Sequence, residues 1–144
     1  MLKRLAFFLL LFALATVHVF GTKCGSGFRE VSQKTIGLSS SIFLGKVTSV
    51  KYLDGGISLI EFRVKRIWKG PKQEILSVTT GPPGSGGYSF LVDHCYLVFA
   101  YFERNELNVS YCSPTKPLAQ AHVDMAQLGI PQYFDSGEFC EEKE

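Results

Sequence analysis

Lys3 and Arg4 precede an unbroken apolar run from Leu5 to Ala15, after which the chain turns mixed and polar. That run is too short for a membrane span, which needs roughly 20 apolar residues, and it matches the charged and apolar regions of a secretory signal. Beyond it the pattern becomes that of strands. Residues 41–50 and 59–68 are β-branched and aromatic with partial alternation, and Asp54-Gly55-Gly56 between them is a hairpin signal, so the two should pair antiparallel. Residues 75–80, 95–102 and 107–112 complete five expected strands, with turns at Gly70-Pro71 and Arg104-Asn105. The run from Tyr96 to Phe102 is apolar at nearly every position, which predicts a strand buried on both faces, as in a small closed barrel. Residues 81–87, with two prolines and four glycines, must form a loop.

Two helices are expected. Over residues 118–128, Leu118, Ala121, Met125 and Leu128 fall on one stripe, Pro117 suits a first turn, and Gly129 with Pro131 ends it. A second helix is expected over residues 29–39, where Thr35, Ile36 and Gly37 are poor helix formers. The fold class is therefore mostly β: a five-stranded barrel with one or two flanking helices. Residues 1–21 are read as signal peptide, with cleavage after Ala15 as the alternative, residues 22–131 as the domain, and residues 132–144 as a tail.

Composition narrows the function. Removing Lys3 and Arg4 with the signal leaves 13 basic against 13 acidic side chains, so no net field attracts a polyanion and a nucleic-acid partner is not expected. About 120 residues remain, enough for one small domain. Cys24, Cys95, Cys112 and Cys140 all lie outside the signal, and an even count in an exported chain reads as two disulfides with three possible connectivities. No Cys-x-x-Cys occurs, and His94 and His122 have no ligand spacing, so neither metal nor cofactor is expected. No lipid anchor is expected either, because Lys23 stands where a lipoprotein signal places a small residue.

Other candidates are also bland. Arg63, Lys65, Arg66, Lys69 and Lys72 crowd one strand and its end, where alternation with Phe62 and Val64 implies a solvated outer face. His122 and Asp124 are two apart on a helix and face different ways, so they cannot form a base and its orienter. No nucleophile signature surrounds any Ser or Cys, and the protein is expected to be non-enzymatic. Trp68 is expected in the core, and Asn108-Val109-Ser110 matches the N-glycosylation sequon.

A string of short blocks carries a resemblance. Phe43-Leu44-Gly45-Lys46-Val47, Phe62-x-Val64 leading to Ile67-Trp68-Lys69-Gly70, Gly87-Tyr88, Tyr96-Leu97-Val98-Phe99-Ala100, Cys112-Ser113 and Pro117-Leu118-Ala119 follow in the order seen in the tissue inhibitors of metalloproteinases. The stretch from Cys24 to Gly129 resembles that family. The resemblance implies a netrin-like OB-fold barrel and a binding role in which the barrel edge and N-terminus dock against an extracellular metalloprotease. The alternative is a netrin-like module that engages another secreted or envelope protein, with no protease target.

In the family the mature chain opens with Cys-x-Cys, and the first cysteine chelates the protease zinc through its amino group and carbonyl. Here the stretch reads Thr22-Lys23-Cys24, and the family's partner for that first cysteine falls at Gly86. Thr22, Lys23 and Cys24 are thus the partner-binding candidates, without the chelating cysteine. The family's second cysteine maps onto Cys24 and its partner onto Cys112, which leaves Cys95 and Cys140 for each other.

Overall fold

The computed structural model describes residues 23–135, 137 and 140. The expected signal peptide and Thr22 lie outside the described residues. Helix α1 (Gln33–Leu38) precedes β1 (Ser41–Tyr52), β2 (Ser58–Lys69), β3 (Ile75–Thr80), β4 (Cys95–Glu103) and β5 (Glu106–Asn108). Then come β6 (Lys116–Pro117), a 3-10 turn (Leu118–Gln120), α2 (His122–Leu128) and β7 (Tyr133–Phe134). Strand order β1-β2-β3-β5-β4, with β4 returning to β1, closes a five-stranded barrel of OB-fold order. The β1–β2 hairpin turns at Asp54–Gly56, where Gly55 takes φ 76°. Closure between β3 and β5 is parallel and spans the single pair Thr79 and Asn108.

The barrel interior is filled by Phe43, Val47, Phe62, Val78, Val98 and their neighbours, each fully or almost fully buried. Each such side chain contributes about 1.5 to 3 kcal/mol relative to exposure. On β4 the alternation is plain: Tyr96, Val98 and Ala100 face this interior, while Leu97 and Phe99 join an outer cluster with Ile42, Leu44 and Trp68. The helices cover that outer cluster, which is why β4 reads as a continuous apolar run.

The expected helix over residues 118–128 is corrected: it is a 3-10 turn, then a break at Ala121 (φ −103°, ψ −2°), then α2. Lys116–Pro117 is held to β4 as β6, and the chain must bend before it can pack. The stripe itself survives, because Leu118, Ala121, Met125 and Leu128 all sit in the outer cluster. The expected helix over residues 29–39 shrinks to α1. Ser32 starts it with a capping box to Thr35, and residues 29–31 stay outside the helix. The fifth strand ends at Asn108 rather than residue 112, because Tyr111 and Cys112 lie in a turn.

Candidate functional site

Cys24 is bonded to Cys112 and Cys95 to Cys140. The first bridge holds Lys23 and Cys24, exposed and half-buried respectively, against the turn that follows β5. The loop of residues 81–87 meets the same turn. Tyr111 N–H donates to the Gly86 carbonyl at 2.8 Å, and Gly87 forms a bridge with Ser110. A Cβ on Gly87 would overlap the Gly81 carbonyl, so the loop folds back on itself only because residue 87 is glycine. N-terminal arm, central loop and post-β5 turn therefore meet at one end of the barrel. Thr22 lies outside the described residues.

Arg29 reinforces the arrangement. Its guanidinium stacks over the Tyr111 ring, 4.4 Å from the centroid, and donates to the Tyr111 hydroxyl at 3.1 Å. Burial pushes the Tyr88 phenol up to about 12, the Tyr96 phenol adds to the rise, and Arg29 opposes it. Tyr88 packs on Phe90 and Tyr96, a cluster that seals this part of the core. Beside the arm lies a groove of about 460 Å³ whose walls include Phe28, Leu38, Phe99, Phe102 and Pro114. Neither Arg29–Tyr111 nor this groove has a sequence signal, since both join segments far apart in the chain.

The remaining candidates find structural employment. Lys69 donates to the carbonyls of Ile36 and Gly37 at the end of α1, and Lys65 pairs with Asp135 at 3.0 Å. Arg63 and Lys72 are exposed and Arg66 is half-buried. Trp68 packs in the outer cluster and its Nε1 donates to the Gly129 carbonyl. Asp124 pairs with Lys116, and His122 is exposed at the start of α2. His94 bonds its neighbour's carbonyl, that of Val92.

Asn108 is engaged on both sides, its Nδ2 donating to Thr79 Oγ1 and its Oδ1 accepting from the Tyr101 hydroxyl. Among the described residues no group of three or more His, Cys, Asp or Glu side chains is arranged to hold a metal, and no cysteine is free. No described helix is long and apolar enough to cross a membrane. Neither the protein-family models nor the curated proteins give a match to this chain.

Proposed function

We propose that this chain is an exported, non-enzymatic binding protein that docks its N-terminal arm and the adjoining loops against an extracellular or envelope partner. One observation carries the reading. The Cys24–Cys112 bridge pins the arm beside the loop of residues 81–87, so three segments present one preorganised edge. The resemblance to the metalloproteinase inhibitors makes a zinc endopeptidase the first partner class to test.

In that family the zinc is reached by a disulfide-fixed first residue, whereas here Cys24 holds the chain two residues further in and Gly86 has no sulfur to offer. The arm therefore favours docking without tight chelation, and a netrin-like module for a non-protease partner is the second reading. The test is an inhibition constant for correctly processed protein, beginning at Thr22, against a panel of zinc endopeptidases. Weak or no inhibition is expected. Nanomolar inhibition that vanishes when residues are added ahead of Thr22 would restore the chelating mechanism and overturn this one.

A further inference from the structure

The groove beside the Cys24–Cys112 bridge encloses about 460 Å³, within the roughly 300 to 1,000 Å³ of small-molecule clefts. In its wall Phe99 belongs to the buried outer cluster, while Leu38 and Phe102 are 59% and 61% exposed. The wall thus runs from the core out to two large apolar side chains that nothing among the described residues covers. No charged side chain is among the described residues that line it.

Its hydroxyl groups are turned to the protein. Thr35 Oγ1 donates to the Glu30 carbonyl, Ser39 Oγ to the Thr35 carbonyl, the Tyr101 hydroxyl to Asn108 Oδ1 and Ser113 Oγ to the Ser110 carbonyl. Ser40 Oγ and Ser110 Oγ accept from the N–H groups of Phe102 and Cys112. A polar ligand would give up its water here with little in return, whereas an alkyl chain loses no hydrogen bond on entry.

Positive charge stands at the margin. Lys34 precedes Leu38 by four residues on α1, so the two share one side of the helix. Its ammonium lies 4.2 Å from the centre of the Phe28 ring, and Phe28 is part of the wall. Arg29, next in the chain to Phe28, stacks on Tyr111, which lies in sequence between the wall residues Ser110 and Cys112. Among the described residues neither cation is paired with a carboxylate.

We propose that this groove binds a free fatty acid, with the alkyl chain along Leu38, Phe99 and Phe102 and the carboxylate at Lys34, where Arg29 adds further positive charge. The ligand needs no protein partner, so the site is independent of the docking reading. An apolar peptide fits less well, because its backbone N–H and C=O groups would meet hydroxyls that are already engaged.

The experiment is calorimetric titration of folded, non-reduced protein with sodium decanoate below its micellar concentration, with the melting temperature followed in parallel. Saturable binding of one decanoate per chain is expected, together with a higher melting temperature. Decan-1-ol keeps the alkyl chain and lacks the charge, and should bind about threefold more weakly, the scale of an exposed ion pair. Lys34→Gln should weaken decanoate by a similar factor and leave decan-1-ol unchanged. Lys51→Gln removes an exposed cation from β1 and should change neither. Leu38→Asp puts a carboxylate in the wall and should weaken decanoate about tenfold or more. Should that variant fail to fold, Phe102→Ser, at an equally exposed position, gives the same readout.

Absence of saturable binding, undiminished binding to the wall variants, or an equal loss in Lys34→Gln and Lys51→Gln overturns the proposal. Tighter binding of acetyl-Leu-Phe-Leu-amide than of decanoate gives the groove to a peptide and overturns the choice of ligand.

Discussion

Asn108 shows how much one side chain can carry in a barrel closed by a single residue pair. It bridges Tyr101 on β4 and Thr79 on β3, and Thr79 is buried. Replacing it with alanine leaves the Thr79 hydroxyl with one partner fewer and opens the seam between β3 and β5. A loss of about 2 kcal/mol is expected, within the usual range for a buried polar group left short of its bond. Urea denaturation of Asn108→Ala against wild type measures it, and an unchanged midpoint would show that the seam is held by backbone bonds alone.

Tyr88 makes a different, pH-dependent contribution. The folded state holds its proton up to about 12, whereas an unperturbed phenol titrates at 10.0. Above pH 10 the unfolded chain releases that proton first, so it binds fewer protons than the native state and stability falls as pH rises toward 12. Below pH 10 the contribution is complete. Unfolding midpoints taken at rising alkaline pH should decline less steeply in Tyr88→Phe than in wild type.

At the scale of elements, the two disulfides bear on how arm and tail are held. Cys24–Cys112 spans 88 residues and Cys95–Cys140 spans 45. In the chain-entropy model these closures contribute about 4.6 and about 4.0 kcal/mol, so they differ by only about 0.6. A tail that merely trailed would give that difference to the first bridge alone. The second bridge, however, also secures β7, whose Tyr133 packs on the barrel interior, and the Lys65–Asp135 pair. The two alanine double variants, Cys24/Cys112 and Cys95/Cys140, are therefore expected to lose comparable thermal stability in calorimetry. A loss confined to the first would mean that the tail adds nothing to the barrel. The hairpin of β1 and β2 was legible from alternation around Asp54-Gly55-Gly56, because both signals are local. The break at Ala121 was not, because it arises from β6 pairing with β4, a contact with residues about 20 positions back in the chain.

For the whole molecule, the proposed docking of the arm on a zinc endopeptidase carries a limit. Residues 22 and 23 precede the point at which Cys24 is fixed, and ordering two backbone residues on a partner costs roughly 1 to 2 kcal/mol each. A penalty of about 3 kcal/mol corresponds to at least a hundredfold weaker binding than a disulfide-fixed terminus allows. An amine with pKa near 8 is also only partly neutral at pH 7, which weakens zinc chelation further. Inhibition constants in the micromolar range or weaker are thus expected, and a nanomolar value would contradict the cost assigned to the free residues. The pattern of apolar positions by itself determined the strand-rich class, the buried character of β4, the hairpin and the apolar stripe of residues 118–128. Each of these follows from side-chain periodicity, which any stretch of chain carries within itself. Only the tertiary structure decided that Arg29 stacks on Tyr111, that Asn108 clamps the seam, and that Lys46 stands in register with Arg63. Those groupings depend on strand register and on closure of the barrel, and register couples residues tens of positions apart that no local pattern connects.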